Sequence, residues 1–471
     1  MTSGSSVSGQ SLSLPVANQR TVWALAWPIM LSNITVPMLG LVDTAILGHL
    51  DAVQPLAAVA IGAQLFTLLL WSFGFLRMGT TSVTANGIGR YGLSSSLGVL
   101  QQAIWLALPV SIICVVTALT LTPLLLPLFG DDLTVQRMAS EYLHIRFAGI
   151  PVTLLQYCLI GWFIGRGETR IPMLMLISAN LLNAGLDYLF VWHLDLGTQG
   201  IALGTLLADA GALSIALYAA VHRGLSLRLP RPDYSILKGM ITINADLFVR
   251  TLTLLSVFAL FAALGAAQST EVLAANAVMI SLLLLISNAL DGFAHAAESL
   301  VGRFRGAGLP ERLKRVLVLT ASNSLLAALF LVLMFVLAGD HLFRLLTDND
   351  AILPRLQDMS LWLWLLPLSG VASYWLDGVM VGAQASAAMR NSMLAAALII
   401  FVPLSALPYL ATLPFLASLP LSVLTAGLTD NTLLWLAFHL FLIGRALFLL
   451  PALLRLLKTL PEPAAVQEGR K

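Results

Sequence analysis

Apolar residues along this chain gather into long stretches of about 20 residues or more, separated by short segments that hold most of the Gly, Pro and charge. A helix of that length and composition spans the hydrocarbon core of a bilayer, because only a helix or a closed barrel satisfies its own backbone polar groups there. Hydropathy and turn punctuation predict twelve spans: 22–47, 56–83, 97–125, 138–163, 172–192, 200–221, 238–265, 272–299, 316–338, 360–383, 393–416 and 432–453. The expected fold class is an all-α polytopic membrane protein.

Composition agrees with that pattern. Apolar residues make up 58% of the chain and charged residues 10%, against about 25% charged in soluble domains. Twelve spans occupy nearly the whole length and leave no room for a soluble domain. Residues 1–20 are rich in Ser and Gly and contain no apolar stretch, so they are expected to form a disordered cytoplasmic lead-in. Cys114 and Cys158 lie inside apolar runs, where they read as small hydrophobes. The sequence presents no Ser-His-Asp arrangement, zinc-ligand spacing or nucleotide-binding loop, so neither an enzyme nor an ATP-driven pump is expected, and no cofactor.

Orientation follows from the basic residues, which are retained on the cytoplasmic side. One set of loops and termini carries Arg20, Arg90, Arg166, Arg170, Arg223–Lys238, Arg303–Arg315, Arg390, Arg455 and Lys458, whereas the alternate set carries only Arg137, Arg344 and Arg355. Both termini are therefore expected in the cytoplasm of a bacterial inner membrane protein with an even number of spans.

A shift of about 215 residues brings pieces of the first half onto the second. Leu56-Ala-Ala-Val-Ala60 answers to Leu273-Ala-Ala-Asn-Ala277, and Gly89-Arg90 to Gly302-Arg303. The segment 163–173 is echoed by 380–393. Both copies begin on the same side, which predicts two six-helix lobes related by a pseudo-two-fold axis along the membrane normal. The expected organisation is a lead-in 1–20, a first lobe 21–222, a cytoplasmic linker 223–237, a second lobe 238–458 and a tail 459–471.

Seven carboxylates fall within predicted spans: Asp43, Asp187, Asp209, Asp246, Asp291, Glu298 and Asp377. An ionised group at mid-bilayer costs at least about 2.5 kcal/mol, so each must face protein or a wet cavity. Arg77, Arg146, Arg250 and Arg445 are available as structural partners, and Asp246 with Arg250 at i, i+4 is expected to form one pair. Asp43 stands apart. It follows Pro28 and Pro37 in a helix those prolines allow to bend, and its counterpart in the repeat, near Ser256, is uncharged. Asn180, Asn183 and Asp187 share one helix face, to which Thr205 could add a hydroxyl; these oxygens suit a monovalent cation or a proton-linked network. Asp291, His295 and Glu298 share another face, read either as a solvated gate or as an ion site.

The residues also carry a family likeness. Trp27-Pro28-Ile-Met, Val42-Asp43-Thr44, Phe75-Leu-Arg-Met-Gly-Thr-Thr81 and Arg166-Gly-Glu-Thr-Arg170 resemble the multidrug and toxic compound extrusion (MATE) family. Asn288 to Glu298, Leu376-Asp-Gly-Val-Met-Val-Gly382 and Ala388-Met-Arg-Asn-Ser-Met393 resemble its DinF branch. The likeness covers about residues 21–458. It implies a twelve-helix, two-lobe antiporter that expels cationic or amphipathic compounds in exchange for protons, with sodium as the alternative ion.

By that resemblance the first-helix aspartate role falls on Asp43, the bending proline on Pro28, and the polar site on Asn183, Asp187 and Thr205, with Tyr142 a weaker match; Asn180 joins them by its place on the same helix face. A sodium ion, if used, would sit among Asp43, Asn183, Asp187 and Thr205. The chain departs from some relatives near Ile160, where an Asn is replaced by an apolar residue, and this weighs against sodium. Nor is the second-lobe cation site of the NorM branch reproduced; Asp246, Asp291, Glu298 and Asp377 are the second-lobe candidates. The expected partners are small molecules and membrane lipids, without nucleic acid, and the chain is expected to act as a monomer. A lipid-linked-precursor flippase and a membrane-embedded enzyme are weaker readings, since the unusual carboxylates lie mid-span.

Overall fold

The structure, a computed structural model, describes residues 14–48, 54–226, 230–347, 349–410 and 429–458. For residues 34, 36–45, 47–48 and 409–410 it describes the backbone alone. Among the described residues every regular element is helical. The first half contains α1 (Gln19–Gly48), α2 (Gln54–Trp71), α3 (Phe75–Tyr91), α4 (Ser95–Leu125), α5 (Leu133–Ala148), α6 (Ile150–Gly165), α7 (Arg170–Trp192) and α8 (Gly197–Val221). The second contains α9 (Tyr234–Gln268), α10 (Thr270–Gly306), α11 (Pro310–Leu346), α12 (Leu353–Asp358), α13 (Ser360–Gly382), α14 (Ser386–Ala395), α15 (Val402–Leu410) and α16 (Asp430–Lys458).

Nine of the described helical stretches are long and apolar enough to cross a membrane, or ten if the bent pair α5–α6 counts as one. Large apolar side chains on their outer faces stay uncovered, among them Ile112, Phe330 and Leu337, at 66–73% exposure. A water-soluble protein rarely leaves so much apolar surface open, and a surface of this kind suits the acyl chains of a bilayer.

Three local sequence features shape the helices. Asp132 accepts from Thr134 N at 2.8 Å to start α5, and Asp233 accepts from Ser235 N at 2.9 Å to start α9, each satisfying backbone donors that have no helical partner. The predicted span 138–163 is two helices meeting at 48°. Pro151 explains the bend, because it has no N–H and its ring crowds the carbonyl four residues back. The predicted span 56–83 likewise breaks at Ser72–Gly74 between α2 and α3. Beyond α14 the helix widens into a π-turn over Ala396–Phe401 before α15 resumes. The stretch 411–416 of the predicted eleventh span lies outside the described residues.

Buried apolar side chains fall into three clusters. One draws wholly on Leu100–Leu225, another wholly on Val257–Leu442, and the largest combines residues from both halves. The mixed cluster includes a seam where α3 meets α6, α10 and α13 through glycines. A Cβ on Gly302 would lie 2.6 Å from Ala85 Cβ, one on Gly165 2.7 Å from Thr84 Cβ, and one on Gly382 2.7 Å from the Glu298 carbonyl oxygen. Polar bonds run along the same seam, with Ser82 Oγ donating to Val381 O at 2.6 Å and Asn86 Nδ2 to Gly382 O at 2.7 Å. Backbones this close gain dispersion energy that larger side chains would forbid.

Gly302→Val should force α10 away from α3 and cost about 1–3 kcal/mol, as overpacking does. Thermal unfolding of purified protein in detergent is expected to shift down by several degrees, while Gly98→Ala, where an added Cβ meets nothing within 4 Å, should leave it unchanged.

Candidate functional site

The first polar cluster lies between α7, α8 and α1. Asp187 is fully buried and sits against Gly204 of α8, whose missing side chain leaves the space its carboxylate occupies. One turn away, Asn183 is 1% exposed and donates from Nδ2 to Thr205 Oγ1 at 3.0 Å, and that hydroxyl donates in turn to Ile201 O at 2.8 Å. Asn183 Oδ1 is buried without a hydrogen-bond partner. Asn180 reaches the other way and donates to Thr35 Oγ1 of α1 at 2.8 Å. Three residues spaced along one face of α7 therefore tie α8 on one side to α1 on the other.

Tyr142 of α5 is buried with its ring against Gly62 of α2. Asp209 is tied to α5 as well: Arg146 Nη1 lies 3.2 Å from its Oδ2, and the guanidinium stacks 4.2 Å over the Phe66 ring. Pro28 is buried in an uninterrupted α1, where its missing N–H leaves the Ala24 carbonyl without a helical donor. The side chain of Asp43 lies outside the described residues; its backbone belongs to α1.

The second cluster joins five helices of both halves. Asp377 Oδ2 on α13 accepts from Arg445 Nη2 of α16 at 2.5 Å and also from Arg250 of α9. Glu298 on α10 is 3% exposed and accepts from Arg77 Nη1 of α3 at 3.2 Å. His295 Nδ1 stands 3.2 Å from both Arg77 Nη1 and Glu298 Oε1. Glu298 is therefore a dry ion-paired group, not the solvated gate that sequence allowed. The expected Asp246–Arg250 pair does not form. Asp246 instead takes Arg390 Nη1 at 2.5 Å and Ser386 Oγ at 2.8 Å from α14, because buried partners across helices outweigh an i, i+4 contact worth a few tenths of a kcal/mol, roughly.

A cavity of about 250 Å³ opens beside this network. Its wall combines Arg77, Arg250 and Arg445 with Trp71, Phe258, Tyr374 and Phe438, besides Leu side chains, Thr251 and Ser287. A second space of about 290 Å³ between α9 and α14–α15 is lined by aliphatic residues apart from Thr253 and Ser256, and carries no charge.

Sequence reasoning named Arg77, Arg146, Arg250 and Arg445 as available cations and assigned a partner only to Arg250. It counted Arg390 only as a loop cation and missed it as the partner of Asp246, and it missed Thr35, whose single hydroxyl in an apolar run has no distinguishing pattern. The Arg166–Arg170 turn is as expected: Gly167 adopts φ +65°, Arg166 Nε meets Glu168 Oε1 at 2.9 Å, and Glu168 also takes Arg223.

Charged side chains held inside a sheath of apolar helices, around a cavity between them, place this chain among multi-pass membrane proteins with a polar interior. The MatE family model matches it over residues 28–189 and 247–407, two stretches that start 219 residues apart. The DNA damage-inducible protein F of Escherichia coli is 34% identical over 92% of this chain and 91% of its own length. A NorM-type multidrug resistance protein of Thermotoga maritima is 25% identical over 70% of this chain and 72% of its own. The crystal structure of the Vibrio cholerae MATE transporter VcmN in its bent form superposes with a TM-score of 0.80 at 19% identity, covering 94% of this chain and 97% of that one. The chain therefore belongs to the MatE family, the multidrug and toxic compound extrusion transporters. It is a transporter and not an enzyme.

Asp377→Asn removes the one carboxylate that two guanidinium groups share, leaving like charges facing each other in a dry interior. The expected loss is about 3 kcal/mol or more, read as a lowered thermal midpoint in detergent. Lys314→Ala, at an exposed pair, should change it by no more than about 0.5 kcal/mol.

Proposed function

We propose that this chain is a secondary active antiporter that exports cationic or amphipathic small molecules from the bacterial cytoplasm in exchange for protons. In this reading the twelve predicted stretches are twelve spans, 21–222 and 238–458 are two lobes joined by the linker 223–237, and both termini are cytoplasmic. The apolar clusters confined to one half each support rigid lobes, and the offset of 219 residues between the two family matches supports a duplicated origin.

The observation that carries the coupling proposal is the buried Asp187, with Asn183 and Thr205 beside it and Asn180 bonded to α1. A carboxylate cluster wired to a helix that carries two prolines can couple its charge to that helix's shape. Asp43, on the same α1, takes up the proton; its neutralisation removes a charge from the interior and releases the lobe's hold on substrate. Loss of the proton to the cytoplasm then restores the cavity. With the orientation given by loop charges, the glycine seam closes the cytoplasmic side and leaves the cavity to empty outward.

Sodium coupling is the second reading, favoured by one observation: the Asn183 carbonyl oxygen is buried with no hydrogen-bond partner. An unused oxygen near Asp187 suits a small cation. The apolar Ile160 weighs on the other side.

Reconstituted protein with Asp43→Asn should lose export of a fluorescent cation driven by an imposed pH gradient, with activity falling at least about tenfold, the size of effect expected for a group that carries the coupled charge. Unchanged pH-driven export by that variant overturns the coupling proposal. An imposed sodium gradient at fixed pH should drive nothing; transport under that condition selects the second reading instead.

A further inference from the structure

We propose that the cavity between α3, α9, α10, α13 and α16 binds the anionic head of an amphipathic compound, so that the exported substrates include aromatic or alkyl carboxylates and sulfonates. The inference deepens the antiporter reading and rests on it only for the direction of movement.

Charge placement is the first ground. Arg77, Arg250 and Arg445 line the cavity, and no Asp or Glu is among its described lining residues. The carboxylates that balance these arginines stand behind them. Asp377 meets two guanidinium groups through a single oxygen, Oδ2, so one negative charge serves two positive ones. Glu298 holds Arg77 from α10 and divides its attention with His295. Asp291 acts on Arg77, His295, Glu298 and Asp377 from the same helix, again from outside the lining.

Donor supply is the second ground. A guanidinium presents five N–H groups, yet Arg250 and Arg445 each spend only Nη2 on Asp377. Arg250 Nε is buried without a partner. Guanidinium donors that no protein group takes up, at a cavity wall, are what a carboxylate or sulfonate oxygen satisfies, and Arg presents them in a fork that matches either group. An organic cation would meet three positive charges with no lining carboxylate to answer it.

The remaining wall explains why the anion is amphipathic. Trp71, Phe258, Tyr374 and Phe438 supply ring surfaces, and five leucines fill the space between them. A volume of about 250 Å³ suits a compact ring system bearing one charged group. The polar cluster around Asp187 in the first half has the opposite character, so the two halves offer different chemistry to a passing ligand.

The test uses two probes with one ring system and opposite charge, 2-naphthalenesulfonate and 2-naphthyltrimethylammonium. Each is titrated calorimetrically into full-length protein in lipid nanodiscs, with empty nanodiscs subtracted. The sulfonate should bind at least about tenfold more tightly than the ammonium, and Arg250→Gln should weaken the sulfonate about tenfold or more while sparing the ammonium. Thr251→Glu adds a negative charge to the same wall without touching an ion pair; it should weaken the sulfonate and tighten the ammonium, and it carries the test should Arg250→Gln fail to fold. Equal or tighter binding of the ammonium overturns the proposal, as does sulfonate binding that neither variant changes. Proton-driven export of ethidium from proteoliposomes separates the two readings. Its persistence without selective sulfonate binding defeats this inference alone, whereas selective sulfonate binding without gradient-driven flux of any probe upholds the site and defeats the antiporter.

Discussion

An ionised side chain inside an apolar helix bundle must find its counter-charge within the protein, and the arrangement of the second-half helices follows from how that is met. Asp377 stands on α13, and the two guanidinium groups it accepts come from α9 and α16. Three helices far apart in sequence are thereby joined at one oxygen atom. The Glu298–Arg77 pair extends the same principle across the halves, tying α10 to α3. Desolvating these ions costs several kcal/mol each, approximately, and the cost is offset only where geometry and further hydrogen bonds are good. The bundle keeps such pairs where they fix which helix faces which, a role that apolar packing among Leu-rich surfaces would fill with far less selectivity.

The two polar clusters solve this constraint differently. The described neighbours of Asp187 include an amide and a hydroxyl bonded to each other, and a glycine that makes room for its carboxylate. Around Asp377 they are full positive charges. In the proposed function the first cluster serves ion coupling, and in the cavity proposed to bind an anionic head the second holds the ligand. The Asp209–Arg146 pair shows that the first half also contains a fixed ion pair, placed where α5 bends into α6.

Helices were legible in the sequence because the bilayer imposes a length and a composition that survive any tertiary detail. The family was legible through short motifs such as Phe75 to Thr81 and Leu376 to Gly382, which the comparisons bear out. Breaks were less so: Pro151 was visible, but a proline can either bend a helix or be absorbed by it, as Pro28 is in α1. Partner choice was the least legible. The spacing of Asp246 and Arg250 suggested one local pair, and the structure gives two long-range pairs, because helix packing decides which buried charges meet and periodicity on a single helix carries no record of its neighbours. Asn183, Asp187 and Thr205 could be placed together since their spacing and adjacency in sequence sufficed; Asn180 with Thr35 could not.

The glycine seam between α3 and its neighbours has a mechanical consequence. Ionic attraction fades slowly with distance, but the dispersion that holds two backbones together falls by up to about half once a gap of roughly one ångström opens. The bonds from Ser82 to Val381 and from Asn86 to Gly382 are similarly short in reach. A joint made of such contacts resembles a snap fastener, strong only while its two faces are pressed together.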